Sequence, residues 1–233
     1  MKVAVFSDIH GNYQALCAIL KDIRKNNIDK IIYLGDAVSL GPDSSLCLKR
    51  LNSEVDVFIL GNHEHYIIEG SQIDKDMSLD EICHNDWLIK TLNKQDINIL
   101  SSNNNSYELI INDKKFLFIH FFLKDDIYPY EHLTIFKNGR FKEIASSLDV
   151  DYVFYGHYHP GRYDEIMNKK LYCIGSSGCV HDDKTYYYVI DSKDDINIEK
   201  IELKYDRKKF INRINNINYP EVDEIKKSFF GIY

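Results

Sequence analysis

The sequence GNHEH at residues 61–65 decides the fold, because it directly follows the apolar run VDVFIL at residues 55–60. The chain has only nine histidines. It nevertheless places an amide, two imidazoles and a carboxylate directly after one glycine here. A polar surface turn would explain this composition, so its meaning depends on whether other apolar runs end in the same way.

Short apolar runs recur along the chain, and each is followed by a glycine-rich or polar turn. Their length and their β-branched and aromatic residues are typical of buried strands. With the polar residues that follow them, the runs are KVAVFSD (2–8), KIIYLGD (30–36), VDVFILGN (55–62), KKFLFIH (114–120), DYVFYGH (151–157) and KLYCIGS (170–176).

Helical patterns alternate with the first of these runs. Residues 12–26 carry apolar side chains on one helical face, with Asn12 as the predicted N-cap. Pro42 marks a second helix start, and Ser78 with Glu81 forms a capping signature ahead of a third helix. Strands that alternate with helices predict βαβ units and a mostly parallel sheet.

The later part of the chain has a different pattern. Residues 106–120 predict a hairpin across residues 112 and 113, and residues 185–205 predict another across 191–195. These hairpins suggest a second sheet packed on the first. Residues 205–233 predict one or two covering helices divided by Pro220. The sequence shows neither an internal repeat nor a long linker, so residues 1–233 are predicted to form a single domain.

The composition excludes several classes of protein. With 44% apolar and 28% charged residues, the chain is typical of globular proteins. Its net charge of −7 argues against binding to a nucleic-acid backbone, which requires a basic face. Its apolar runs are far shorter than the roughly 20 residues of a membrane-spanning helix. Five scattered cysteines, together with a start that lacks a signal-peptide pattern, predict buried thiols in a cytoplasmic protein.

The ends of the predicted strands share a chemical feature, and α/β sheets bind ligands at the carboxyl ends of their strands. Five of the strands end in carboxylate, imidazole or amide groups, several of them directly after a glycine. Each motif alone is weak, since short motifs produce many false positives. Together these groups can surround a pair of metal ions. They are Asp8, His10, Asp36, Asn62, His63, Glu64, His120, His157 and His159.

Five motifs in this order resemble those of the calcineurin-like metallophosphoesterase superfamily, and in particular its small bacterial single-domain branch. They are SDIHGN (7–12), LGD (34–36), GNHE (61–64), IH (119–120) and GHYH (156–159). The likeness extends to GPD (41–43), GSSG (175–178) and YDR (205–207), and so covers nearly the whole chain. The resemblance implies an α/β fold, a four-layer α/β/β/α sandwich of two mixed β-sheets flanked by helices.

The resemblance also implies a dinuclear metal centre in which Asp36 bridges two divalent ions. It assigns three ligands to each ion, namely Asp8, His10 and His159 to the first and Asn62, His120 and His157 to the second. A hydroxide shared between ions about 4 Å apart would form near neutral pH and attack phosphorus. Mixed oxygen and imidazole ligation favours Mn²⁺, with Fe or Zn²⁺ as alternatives.

The resemblance gives His63 the role of a histidine that does not bind metal, contacts a phosphate oxygen, and protonates or stabilises the leaving alkoxide. Glu64 would then orient this imidazole, the alternative being a simple helix-start residue. Asn62 is also predicted to contact the substrate. His181 stands where the family frequently has an arginine, and we expect it to meet a substrate phosphate.

These features predict a dinuclear metal-dependent phosphoesterase that hydrolyses small organic phosphate esters, of the nucleotide-type monoester or diester class, by in-line attack of a metal-bridging hydroxide. Hydrolysis of a diadenosine polyphosphate stays open. A non-catalytic scaffold of the same fold is the alternative. A third hypothesis is a structural metal protein whose ions are each fully surrounded by four protein ligands. The complete ligand set favours the enzyme. The expected partner is a small phosphorylated molecule, not a nucleic acid or a membrane.

Overall fold

The computed structural model describes residues 1–71, 74, 77–124 and 127–233. The strands are β1 (Lys2–Phe6), β2 (Lys30–Tyr33), β3 (Val57–Phe58), β4 (Ser106–Ile111), β5 (Lys114–Ile119), β6 (Leu123–Lys124), β7 (Ile127–Tyr130), β8 (Tyr152–Tyr155), β9 (Arg162–Ile166), β10 (Lys169–Cys173), β11 (Lys184–Asp191) and β12 (Asn197–Lys204). The helices are α1 (Tyr13–Ile23), α2 (Ser44–Glu54), α3 (Asn62–Glu69), α4 (Leu79–Thr91), α5 (Lys94–Ser101), α6 (Ile135–Asn138), α7 (Arg140–Ser147), α8 (Arg207–Asn215) and α9 (Val222–Phe230).

The first sheet has the strand order β12-β11-β1-β2-β3. Strands β1, β2 and β3 are parallel, as the alternation of strands and helices predicts, whereas β11 and β12 join antiparallel at the other edge. Alternate residues of β1 face opposite sides of this sheet. Val3 and Val5 pack towards the second sheet, and Ala4 and Phe6 pack towards helices.

The second sheet has the strand order β4-β5-β8-β10-β9. Its β4–β5 hairpin turns at Asn112 and Asp113, with φ angles of 47° and 59°. Such left-handed angles at both turn residues match the right-handed twist of the paired strands, and Asn and Asp tolerate them well. The predicted hairpin is therefore confirmed.

Two packed sheets and two outer helical layers form the four-layer α/β/β/α sandwich that the sequence predicts. Phe116, Phe118 and Phe154 of the second sheet fill the space between the sheets. Helices α1, α2, α4 and α5 cover the outer face of the first sheet, and α6 and α7 cover that of the second. The predicted fold class is confirmed.

The helix ends follow the capping signals. The Asn12 side chain accepts a hydrogen bond from the Ala15 N–H at the start of α1, and Ser78 and Glu81 form the predicted capping box of α4. One helical pattern is interrupted, because Asn93 caps a separate helix, α5. Within the described ranges, the structure shows no helix long and apolar enough to cross a membrane.

The ends of strands from both sheets meet at one edge of the sandwich. The Asp8 N–H after β1 donates to the Gly35 carbonyl after β2, at 2.9 Å. In the second sheet, the Gly156 N–H after β8 donates to the His120 carbonyl after β5, also at 2.9 Å. These hydrogen bonds bring the polar strand ends together, so the fold gathers the motifs that the sequence separates.

Candidate active site

The polar residues at the strand ends have an unusual backbone conformation. Asp8, His10, Asp36 and His157 have φ angles of 53°, 44°, 58° and 64°. Non-glycine residues rarely occupy this left-handed region, and each costs on the order of 1–3 kcal/mol unless the surroundings hold it in place. At Asp8 the surroundings do so, because its carbonyl accepts hydrogen bonds from the Ser176 hydroxyl at 2.7 Å and the Gly178 N–H at 3.0 Å. Such clustered strain is typical of a functional site.

The glycines that precede the polar groups allow the loops to approach closely. A Cβ atom on Gly61 would lie 2.2 Å from Asp36 Oδ1, and a Cβ on Gly156 would lie 2.4 Å from Asp8 Oδ2. Real Cβ contacts are not this short, so any other residue would displace the carboxylates. The glycines at positions 61 and 156 are thus explained by the lack of space for a side chain beside the carboxylates of the site.

The first group of predicted ligands converges on one point. His10 Nε2 lies 3.1 Å from His159 Nε2, and His159 Nε2 lies 3.4 Å from Asp8 Oδ1. The distance from His10 Nε2 to Asp8 Oδ1 is 4.0 Å. The structure therefore brings together a carboxylate and two imidazoles from two segments of the chain that are about 150 residues apart.

The second group forms a similar arrangement around Asn62. Its Oδ1 atom lies 3.1 Å from His120 Nε2 and 2.9 Å from His157 Nδ1. His157 thus turns its Nδ1 atom into the site, whereas His120 turns its Nε2 atom inward. The predicted amide and its two imidazoles are gathered at one point.

Asp36 lies between the two groups. Its Oδ2 atom is 3.6 Å from His10 Nε2 and 3.2 Å from His120 Nε2, so one carboxylate oxygen faces a histidine of each group. Its Oδ1 atom accepts a hydrogen bond from the His63 N–H at 3.1 Å. Asp36 is thereby fixed in a position that both groups share.

Two of the imidazoles are held by backbone carbonyls with their Nε2 atoms facing the site. His10 Nδ1 donates to the Val38 carbonyl at 3.0 Å, and His120 Nδ1 donates to the Leu34 carbonyl at 2.8 Å, which leaves each Nε2 as the inward atom. Backbone acceptors of this kind fix the tautomer and ring orientation of metal-binding histidines.

Burial and neighbouring charges shift the pKa values in the site. Burial lowers the pKa of His10 and of His157 to about 3, so both imidazoles are neutral. Burial alone would lower the pKa of His120 as well. The adjacent Asp36 carboxylate outweighs burial, so that the pKa of His120 is raised to about 9. Burial acts to raise the pKa of Asp36, yet the surrounding histidines, His120 first, hold it well below its usual range.

The donor set fits divalent cations. The ligand atoms of Asp36, His120 and His157 lie within 4.8 Å of one another, as do those of His10, Asp36 and His63. His120 faces oxygen atoms with both ring nitrogens, the Leu34 carbonyl at Nδ1 and Asn62 Oδ1 at Nε2, so its Nε2 atom needs either a second proton or a cation. Carboxylate, amide and neutral imidazole groups are ligands for Mn²⁺, Fe and Zn²⁺.

Cys179 is a neighbour of this site that the sequence does not reveal. Its Sγ atom lies within 4.8 Å of the ring nitrogens of His10 and His159. Burial raises the pKa of this thiol well above its ordinary value. A lone cysteine after a glycine turn carries no sequence signal for a ligand, so only the folded chain shows this proximity.

His63 lies beside the metal-binding groups. Its ring centroid is 5.0 Å from that of His10 and 5.6 Å from that of Tyr66, in edge-to-face contacts. Its Nδ1 atom is buried and has no hydrogen-bond partner within the described part of the chain. In that part of the chain, this nitrogen therefore lacks a backbone acceptor of the kind that fixes the rings of His10 and His120.

Glu64 does not orient His63, and this prediction is wrong. Its Oε2 atom accepts hydrogen bonds from the backbone N–H groups of Asp36 and Gly61, both at 2.7 Å. Its Oε1 atom accepts from those of Ala37 at 2.8 Å and Val38 at 3.3 Å. Both carboxylate oxygens are thus occupied by the backbone, and Glu64 instead holds the loop that carries Asp36.

The buried position of Glu64 also changes its acidity. The side chain is fully buried. Burial, followed by the charge of Asp36, raises the pKa of this carboxyl to about 7, although the backbone N–H groups act in the opposite direction. The sequence places a carboxylate at this position, but it does not show which groups the carboxylate meets.

His181 is placed at the C-terminal helix. Its exposed ring lies against Gly231, and its Nε2 atom donates to the Ser228 carbonyl at 3.2 Å. The residue is not part of either metal-binding group. Its predicted contact with a substrate phosphate has no support from this placement.

A cavity of about 270 Å³ opens beside His63. The sequence does not predict it, because its walls come from α3, α4, α9 and the loop after β2. It is lined by Ser39, Leu40, His63, Tyr66, Met77, Asp80, Glu81, His84, Asn85, Glu221, Glu224, Ile225, Ser228 and Phe229. Phe229 also contacts the metal-binding group, since its ring centroid lies 5.8 Å from that of His159.

Residues 1–161 match the family model of the calcineurin-like phosphoesterases, and the chain belongs to this family. It is therefore a metal-dependent hydrolase of phosphate esters, as the motifs predict. An uncharacterized protein of Methanocaldococcus jannaschii is 29% identical over 235 residues, which cover 94% of each chain.

Two solved structures are similar in fold. A metallophosphoesterase from Sphaerobacter thermophilus superposes with a TM-score of 0.72 and 19% identity, covering 97% of this chain and 98% of that chain. A hypothetical protein from Pyrococcus horikoshii gives a TM-score of 0.72 and 20% identity, covering 99% of this chain and 98% of that chain. The likeness extends beyond the family match into the C-terminal part.

Proposed function

We propose that this protein hydrolyses phosphate esters of small organic molecules at a dinuclear metal centre. Asp36 is the proposed bridging ligand. The other proposed ligands are Asp8, His10 and His159 for one ion and Asn62, His120 and His157 for the other. Asn62, the first residue of α3, is also the proposed contact for a substrate phosphate.

The position of Asp36 Oδ2 is the observation that carries this proposal. The atom lies 3.6 Å from His10 Nε2 and 3.2 Å from His120 Nε2, and those two nitrogens belong to different groups. A buried carboxylate in contact with two separate ligand groups supports a site for two ions. A single ion would need only one of these groups.

Bound divalent ions would supply Lewis acidity and would lower the pKa of a coordinated water to near neutrality. Mn²⁺ is the proposed metal, because oxygen and imidazole ligands are mixed and the proposed ligands include no thiolate. The chain itself contributes fixed ligand orientation, through the backbone carbonyls that accept from His10 and His120.

His63 is the proposed partner of the leaving-group oxygen. Its main-chain N–H is fixed by Asp36, and its side-chain Nδ1 atom is buried without a partner in the described ranges. A hydrogen bond from this imidazole to a phosphate or leaving-group oxygen would stabilise the charge that develops there. The short ring contacts with His10 and Tyr66 hold it in reach of both the metal-binding groups and the cavity.

The five cysteines are free thiols. They favour a reducing compartment, and the cytoplasm is the proposed location. The proposed substrates are small phosphorylated molecules, including nucleotide-type monoesters or diesters.

A direct test loads the purified protein with Mn²⁺ and measures hydrolysis of 4-nitrophenyl phosphate and bis(4-nitrophenyl) phosphate. We expect turnover of at least one of them, which also separates monoester from diester activity. Asp36→Asn should abolish it, whereas Asp86→Asn, at an exposed position of α4, should not. Failure of the wild-type protein to cleave either ester with Mn²⁺, Fe²⁺ or Zn²⁺ would overturn the proposal.

A further inference from the structure

The cavity beside His63 continues the candidate active site. His63 belongs to its lining. A ring nitrogen of His63 also lies within 4.8 Å of a ring nitrogen of His10 and a carboxylate oxygen of Asp36. A phosphate ester whose phosphorus lies at the metal-binding groups, with its leaving oxygen at His63, would direct its organic part into this space. The cavity volume of about 270 Å³ is near the lower end of pockets for small organic ligands.

Within the described part of the cavity lining, the acidic and basic side chains all carry one sign of charge. Four carboxylates line it, namely those of Asp80, Glu81, Glu221 and Glu224, and the lining described here includes neither Lys nor Arg. Among the described residues, these four form no ion pair within 4.0 Å. A cleft lined by one sign of charge concentrates its field, attracts ligands of the opposite charge and repels those of the same charge.

A buried hydroxyl adds a specific polar contact. Ser39 is 1% exposed and lines the cavity, and its Oγ atom has no hydrogen-bond partner in the part of the chain that the structure describes. Buried polar side chains are nearly always hydrogen-bonded, so a buried hydroxyl without a partner at a cavity wall can pair with a water molecule or with a ligand. This observation is independent of the carboxylates.

The remaining walls are apolar. Leu40 and Ile225 are 7% exposed, and Phe229 packs between the cavity and His159. These side chains can bury the carbon skeleton of a ligand, while the carboxylates lie around it. Glu221, Glu224, Ile225 and Phe229 also lie outside residues 1–161, the part of the chain that matches the family model. With Ser228, five of the 14 described lining residues therefore come from a segment outside the family match.

We propose that this cavity binds the organic part of the substrate and selects phosphate esters whose organic part is cationic, such as an amine-bearing alcohol, over esters with further anionic groups. The proposal rests on the proposed function for the phosphate end. Ser39 donates or accepts a hydrogen bond with a polar group of the substrate. The carboxylates attract the ammonium group and repel a second phosphate or a carboxylate.

Three phosphonate probes test this selectivity by binding alone. Benzylphosphonates with a 4-aminomethyl, a 4-methyl or a 4-carboxymethyl group share one anchoring group and differ in charge at the far end. Their Kd values are measured by calorimetry on the Mn²⁺-loaded protein at fixed salt of about 0.1 M, because salt screens such interactions. We expect the ammonium probe to bind at least tenfold more tightly than the carboxylate probe.

A pair of matched variants locates the origin of the selectivity. Asp80→Asn combined with Glu224→Gln removes one cavity carboxylate from α4 and one from α9. The control variant, Asp86→Asn combined with Asp223→Asn, also removes one carboxylate from each of these helices, but at positions outside the cavity lining. The cavity variant should reduce the ratio of the two Kd values at least threefold, and the control should leave it unchanged.

Equal binding of the ammonium and carboxylate probes would overturn the proposal, as would a ratio that responds equally to both variants. Absence of binding by all three probes would do the same. Hydrolysis of 4-nitrophenyl phosphate and its diester is measured separately. Cation-selective binding without any hydrolysis would therefore support this proposal and contradict the proposed function, so that the two failures can be told apart.

Discussion

Replacement of Glu64 by glutamine tests whether this carboxylate holds the Asp36 loop. Glu64→Gln preserves the shape of the side chain but exchanges one oxygen for an NH₂ group. In the better of its two orientations, the amide oxygen keeps the 2.7 Å hydrogen bonds from the N–H groups of Gly61 and Asp36. The NH₂ group then faces the N–H groups of Ala37 and Val38 and cannot accept from either.

The cost follows from these two lost hydrogen bonds. A buried donor left without an acceptor costs about 1–3 kcal/mol. The Ala37 bond is short, at 2.8 Å, and should cost the full amount, whereas the Val38 bond, at 3.3 Å, is weaker. Loss of the negative charge beside Asp36 offsets part of the cost. The raised pKa of Glu64 reflects this offset, so we expect the free energy of unfolding to fall by about 1–2 kcal/mol, or the Tm by about 2–8 °C for a chain of this size.

Thermal unfolding and metal content, measured on the same samples, provide the assay. Both should fall in Glu64→Gln, because the loop that it holds carries Asp36. Glu69→Gln is the matched control on the same helix, since Glu69 is partly exposed and its Oε1 atom contacts His65 Nδ1 at 3.0 Å. If Glu64→Gln had normal stability and metal content but had lost turnover, Glu64 would act on catalysis directly and our reasoning would be refuted.

Three further variants test other parts of the structure. His63→Ala should keep its metal content and lose at least about a hundredfold in kcat, the usual effect of removing a catalytic histidine. His132→Ala, at an exposed position, should change neither quantity. Normal turnover of His63→Ala would exclude a catalytic role for His63. Ser39→Ala should leave the free energy of unfolding unchanged or raise it by about 1 kcal/mol, because it removes a buried hydroxyl that has no described partner. Chemical denaturation measures this free energy, and a clear decrease in the variant would show that the hydroxyl has a partner in the folded chain. Burial lowers the pKa of His84 from 6.5 to about 4. As the pH falls, the imidazole is therefore protonated in the unfolded chain before it is protonated in the folded chain. The free energy of unfolding decreases as the pH falls from 6.5 towards 4. The stability difference between wild type and His84→Gln should therefore change by up to about 3 kcal/mol over this range, and a constant difference would contradict the shift.

The sequence predicts those features that depend on local pattern. Apolar runs with a polar end identify the strands, and the capping residues Asn12 and Ser78 identify helix starts that the structure confirms. The strands are short and alternate with helices, so their carboxyl ends must meet at one edge. For this reason the pattern predicts that Asp8 and Asp36 share one site, whereas the assignment of His120, after a strand of the second sheet, depends on the resemblance to the family.

The features that the sequence does not predict depend on contacts between distant segments. Glu64 follows His63 directly, so a catalytic pair is a natural interpretation, yet its oxygens face a loop 26–28 residues earlier in the chain. Cys179 reaches His10 and His159 only after the second sheet is packed. The cavity depends on α9, which no motif places near His63. The break between α4 and α5 is a different case, because it depends on Asn93, a local cap within a continuous helical pattern.

The most direct test of a dinuclear centre bridged by Asp36 is the metal content of the Mn²⁺-loaded protein and of its Asp36→Asn variant, determined by elemental mass spectrometry after removal of free metal. We expect two ions per chain in the wild-type protein, and loss of both together in the variant, because Asp36 Oδ2 faces a histidine of each group. One ion per chain in the wild type, or one ion retained at full occupancy in Asp36→Asn, would contradict the bridging role.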